Sequence, residues 1–150
     1  MKNIIGILIL WIGLVSFDLG SGTAYLKCKS ESGRTEFYAE LQDIEGLLEK
    51  AILKIDETEL EYKTNEGHII FDPKNGVLTM YIVDLENKED YLSHQYIQFW
   101  SIPSTFKIVK NERHHQIYEF KAKIYGTEPR KQKEFNTPII TLNCRLEYEI

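Results

Sequence analysis

A chain of 150 residues with a formal net charge of −5 has no general attraction for polyanions, which argues against nucleic acid or an anionic membrane surface as partner unless a local patch overrides the net charge. Nine tyrosines and seven phenylalanines, with many Ile, Leu and Thr, lean toward strand. No repeat, low-complexity segment or Pro/Gly/Ser-rich linker divides the chain, so one domain is expected, long enough to build a core without several disulfides.

The first segment stands apart from that domain. Lys2 supplies a positive start, the run from Ile4 to Val15 (IIGILILWIGLV) is apolar throughout, and Gly22-Thr23-Ala24 offers small residues at the −3 and −1 positions of a cleavage site. Its apolar run is too short for a hydrocarbon core that needs roughly 20 residues. Residues 1–24 are therefore expected to be a secretory signal peptide and residues 25–150 the mature domain, periplasmic or extracellular, with no stable membrane insertion after cleavage. Cys28 follows Tyr25-Leu26-Lys27, not the small residues of a lipidation site. Losing Lys2 and Asp18 together leaves the net charge of the mature chain unchanged.

Period-2 alternation then recurs along the chain. Leu26 and Cys28 share one face; after a turn at Glu31-Ser32-Gly33, Phe37, Ala39 and Leu41 alternate with Glu36, Tyr38 and Glu40. Between Asp43 and Asp56 two patterns compete. Leu48, Ala51, Ile52 and Ile55 fall at helical spacing behind Asp43 as an N-cap, whereas Leu53 and Ile55, a turn at Asp56-Glu57-Thr58, and then Leu60 and Tyr62 suit a hairpin. Gly46 and the β-branched residues weaken the helix, so a turn near residues 44–49 followed by a strand is expected. Asn65-Glu66-Gly67 and Asp72-Pro73-Lys74-Asn75-Gly76 carry turn chemistry, the latter a strong hairpin signal. Residues 77–83 (VLTMYIV) are apolar on both faces and read as a central strand, and Glu86 to Tyr91 as a loop or one helical turn. Tyr118, Phe120, Ala122 and Ile124 alternate with charged residues, and residues 138–149 alternate most cleanly of all.

The fold class expected is all-β: an antiparallel sandwich or small barrel of about eight to ten short strands. Cys28 lies in the first strand and Cys144 in the last, each in phase with apolar neighbours, so the two are expected to form a disulfide joining those strands. This outline is similar in architecture alone to lipocalin-like barrels and to periplasmic inhibitors of lysozyme, and membership of neither family follows from it.

Chemistry-bearing patterns are sparse. His114 and His115 are adjacent, so from a regular strand they point to opposite faces, and with His68 and His94 they make no HxH or HExxH spacing. Carboxylates at Asp56, Glu57, Glu59, Glu61, Glu86, Glu89 and Asp90 fall in turns and on wet faces. No nucleophile elbow, P-loop or dinucleotide fingerprint occurs. No catalytic residue, metal ligand or cofactor is expected. Two segments suggest partner binding. Phe99 and Trp100 open an aromatic cluster around Pro103, and the segment from Gly126 to Lys133 sets Arg130, Lys131 and Lys133 on an otherwise acidic chain. The expected function is a non-enzymatic exported module that binds a protein or glycan through loops at one end of the sheet. The alternatives are a barrel carrying a small apolar ligand and an enzyme with an unrecognised site.

Overall fold

The computed structural model of the chain describes residues 22–42, 47–62, 67–83, 95–127 and 136–150. Residues 1–21, the segment Glu86 to Tyr91, His94 and the cations Arg130, Lys131 and Lys133 lie outside the described residues. Ten strands follow in order: β1 (Thr23–Ser30), β2 (Thr35–Leu41), β3 (Leu48–Ile55), β4 (Thr58–Tyr62), β5 (Gly67–Asp72), β6 (Val77–Val83), β7 (Tyr96–Ser101), β8 (Lys107–Glu112), β9 (His115–Gly126) and β10 (Ile140–Glu149). There is no α-helix among the described residues. The ambiguous segment after Asp43 is strand from Leu48 onward, and it pairs with β4 through a two-residue turn, Asp56-Glu57. Asp56 there has φ 55°, a left-handed conformation that a short polar side chain tolerates. Arg34 of the β1–β2 turn holds Asp56 in a fork, Nε to Oδ1 at 2.7 Å and Nη2 to Oδ2 at 2.9 Å.

All ten strands form one antiparallel sheet, ordered β4-β3-β2-β1-β10-β9-β7-β6-β5, with β8 also pairing β9. Long β9 serves two neighbours along one edge, β8 at residues 115–119 and β7 at residues 122–126. Between those two neighbours, Pro103 opens a 3-10 turn, Pro103–Thr105, because it cannot donate to a ladder. The hairpin turn after β5 packs on this corner. A Cβ on Gly76 would lie 2.9 Å from the Pro103 carbonyl oxygen, and buried Ser101 ties the two segments together, accepting from Leu78 N at 2.8 Å and donating to Gly76 O at 2.7 Å.

The sheet curls so that its inner face closes on itself. Phe37 on β2 stacks against Phe99 on β7 with ring centroids 5.3 Å apart, although four ladder steps separate these strands. A continuous chain of rings fills the interior. Phe99 meets Phe120 at 6.5 Å, Phe120 meets Phe106 at 4.9 Å, Phe106 meets Tyr118 at 5.7 Å and Tyr118 meets Phe71 at 5.3 Å. Around them pack fully buried Leu26, Leu41, Leu53, Leu78, Ile97 and Leu142. The two ends of the sheet, β4 and β5, do not pair with each other among the described residues, so the curled sheet is open.

The predicted disulfide is present. Cys28 and Cys144 face each other directly in the β1–β10 register, 4.1 Å apart at Cα, both buried on the inner face. β1 begins at Thr23, and Ala24 is fully buried, paired with Leu41 and Tyr148.

Candidate binding groove

The outer face of the sheet carries the polar half of every alternating strand. Register, not sequence proximity, decides which of those side chains meet. Lys29 on β1 lies opposite Glu36 on β2, which faces Lys54 on β3, which faces Glu59 on β4. In the other direction Lys29 faces Asn143 on β10, and Asn143 faces Lys121 on β9. A second row runs parallel, two residues along each strand: Ile52, Tyr38, Lys27, Arg145, Glu119 and, on β8, Lys107. Between the rows run Phe37, Cys28, Cys144 and Phe120, whose side chains turn to the inner face and leave their backbone as a floor. The result is a groove of ≈ 950 Å³ crossing the strands, lined from β4 to β8. At 4.7–4.9 Å per strand, seven strands give it a length on the order of 30 Å. Thr105 closes one end, because its hydroxyl accepts from Lys121 N at 2.8 Å and pins the 3-10 turn to β9.

The groove is electrostatically unlike the rest of the chain. Six cations (Lys27, Lys29, Lys54, Lys107, Lys121 and Arg145) line it against three carboxylates, Glu36, Glu59 and Glu119. That local excess of three positive charges sits on a chain of net charge −5. Two of the six cations are paired within the lining: Lys29 Nζ is 2.7 Å from Glu36 Oε1, and Arg145 Nη1 is 3.0 Å from Glu119 Oε1. The hydrogen bond from Lys29 holds the Glu36 carboxyl below its ordinary range, so Glu36 stays ionised, the opposite of what a general acid at neutral pH requires. Lys27, Lys107 and Lys121 are exposed and enter no salt bridge with another described residue. Tyr38, half-buried in the groove wall, has its phenol pKa pushed up by burial and by Glu40, whose carboxylate accepts from the hydroxyl at 3.4 Å.

The described aromatic and histidine residues singled out from sequence fall outside the groove lining. Phe99 is a core ring, 1% exposed, whereas its neighbour Trp100 is half-buried on the outer face, registered between Thr79 and Lys123. Trp100 borders a stripe of tyrosines: Tyr81 and Tyr96 lie 6.4 Å apart and Tyr96 and Tyr125 6.0 Å apart. Burial, then a hydrogen bond with Tyr125, raises the Tyr96 phenol to about 12. His114 sits exposed in the β8–β9 turn, while His115 is half-buried. Lys110 Nζ can only donate to His115 Nδ1, at 2.9 Å, which leaves Nε2–H to donate to Glu147 at 2.8 Å. His68 is exposed on β5. Among the described residues no three His, Cys, Asp or Glu side chains gather as a metal site. The groove residues were legible only as wet-face positions. The available signal was Lys27-x-Lys29, two cations in phase on a strand whose partner β10 carries Asn143 and Arg145 in the same phase, with Lys121 following on β9. Comparison with known protein families, curated proteins and solved structures gave no match.

Proposed function

We propose that this chain is a non-enzymatic exported binding domain that holds an elongated ligand, a protein segment or a glycan, in the groove across its sheet. The binding surface is then the sheet face, not the loops at one end. The observation that carries this reading is the groove itself, whose volume lies in the range typical of ligand sites and whose lining is drawn from seven strands of one cross-linked sheet. A surface built on paired strands is preorganised, so a ligand is bound without first ordering its site. Export is supported by the apolar leader and by the buried disulfide, which persists in an oxidising compartment. The interior chain of rings from Phe37 to Phe71 leaves the apolar-carrier alternative less favoured, since that reading needs an unfilled core.

Asn143 sits exposed at the middle of the groove, so Asn143→Trp fills it without touching the core. Arrays of soluble glycans and of peptides, probed with the wild-type and the filled protein, test the reading. Ligands captured by the wild type and lost in Asn143→Trp support it. Ligands retained by the filled protein place binding elsewhere on the molecule.

A further inference from the structure

We propose that the groove takes an acidic polysaccharide, a chain of carboxylate-bearing sugars laid across the strands; this deepens the binding reading above and rests on it. Charge complementarity decides the sign of the ligand. An excess of three cations, with Lys27, Lys107 and Lys121 in no salt bridge among the described residues, presents a local positive field that an anionic chain neutralises. The remaining question is which kind of anion.

Three observations favour a glycan over an acidic peptide. First, the groove crosses the face of the sheet, where every backbone donor and acceptor of the floor is already engaged in the ladders of β1, β2, β9 and β10. An extended peptide there could not add as a strand, so main-chain pairing would contribute nothing to its affinity. A sugar chain presents hydroxyls and carboxylates, which lysine, arginine, glutamate, threonine and asparagine side chains can all satisfy. Second, in one row the cations Lys54, Lys29 and Lys121 fall on β3, β1 and β9, every second strand, a spacing of roughly 9.5 Å. Same-side charges on an extended peptide recur every second residue, at about 6.6 Å, and so fall out of step with that row. Third, Tyr38 stands opposite Lys27 in the second row, with Ile52 opposite Tyr38 on the next strand, and the two give an apolar wall beside the charges. Such a ring and alkyl surface suits the carbon–hydrogen face of a sugar, with the carboxylate turned to the lysines. Five of the six cations are lysines, compact point charges on flexible stems, which suit carboxylates on a chain of variable twist better than a rigid guanidinium fork would.

The test uses the mature, oxidised protein and defined polymers. Oligogalacturonate, dextran of similar length, poly-glutamate and duplex DNA are titrated by calorimetry at low and at physiological salt. The variants are the triple Lys27→Gln/Lys107→Gln/Lys121→Gln and the groove-filling Asn143→Trp. Oligogalacturonate should bind the wild type, weaken with salt, and bind the triple variant roughly tenfold or more weakly, with thermal melting unchanged because the replaced charges are exposed. Dextran should not bind. Equal affinity of the triple variant and the wild type for oligogalacturonate overturns the proposal, as does absence of binding by the wild type. Tighter binding of poly-glutamate or DNA than of the uronate also overturns it. In that case loss of the tighter ligand in Asn143→Trp leaves the groove standing as a binding site, whereas retention removes the groove as well, so the two failures are distinguishable.

Discussion

Phe99 and Trp100 are adjacent in sequence yet face opposite sides of β7, and truncating each to alanine is predicted to give very different costs. Phe99 lies 1% exposed between Phe37 at 5.3 Å and Phe120 at 6.5 Å, in the middle of the ring chain that closes the curled sheet. Phe→Ala in such a core costs about 3–5 kcal/mol, and the two ring partners, each worth about 0.5–1.5 kcal/mol beyond area, place this site near the upper end. Trp100 is half-buried on the outer face, where removing the ring exposes less apolar surface and leaves no enclosed void, so a loss of at most about 2 kcal/mol is expected. For a small domain with a urea m-value near 2 kcal/mol per molar, the Phe99→Ala midpoint should fall by roughly 2 M and that of Trp100→Ala by at most about 1 M. Urea melts followed by far-UV circular dichroism measure both. Equal losses, or a larger one at Trp100, would refute the inward and outward assignment on which the groove and the core both depend.

Four further outcomes are expected. Thiol titration of the denatured, unreduced protein should find no free thiol, and removing the Cys28–Cys144 bridge, with its sequence separation of 116, should cost about 5 kcal/mol in the chain-entropy model. Because the Tyr96 phenol is raised from 10.0 to about 12, chiefly by burial, its neutral form favours the fold; that contribution is complete below pH 10 and is lost as pH rises through 12. Tyr125→Phe removes the hydrogen bond and should bring Tyr96 ionisation, followed by tyrosinate absorbance, to lower pH. The Glu147 carboxyl is held below 4.5, mainly by the hydrogen bond from His115, so its stabilisation is present above that value and is lost as pH falls through the lower folded-state pKa. In His115→Ala, carboxyl titration by NMR should show Glu147 moving back up. Finally, mass spectrometry of exported protein should find Ala24 retained, since it pairs with Leu41 and Tyr148 inside the sheet; a mature N-terminus at Tyr25 counts against that packing.

What could be read from sequence tracks the range of the interactions involved. The alternation at Phe37, Ala39 and Leu41, the turn at Asp72 to Gly76 and the inward phase of Cys28 and Cys144 are local signals, and each corresponds to an element of the structure. The hairpin around Asp56 was readable for the same reason, since β3 and β4 are consecutive. The groove was not, because Lys54, Lys29, Asn143 and Lys121 share a row only once β3, β2, β1, β10 and β9 are paired in register, and nothing short-range in the sequence encodes that pairing. The division between Phe99 and Trp100 was local as well: period 2 puts Phe99 in phase with Ile97 and Trp100 with Gln98, and burial of the first pair makes theirs the inner face.

The position of β10 constrains when this molecule can be assembled. Strands β1 to β4 form one run of hairpins and β5, β6, β7 and β9 another, and every ladder between the two runs passes through β10. That strand is made after the nine it joins, so neither half can complete its sheet during synthesis, and the bridge at Cys144 has no partner in place until then. Such a chain emerges as two unjoined halves whose closing contacts span most of its length, a topology of slow, late folding. An unfolded, reduced chain is also the form that threads through a narrow export channel. On the export reading proposed above, the arrangement of strands defers both the fold and the cross-link to the far side of the membrane, where the oxidant is.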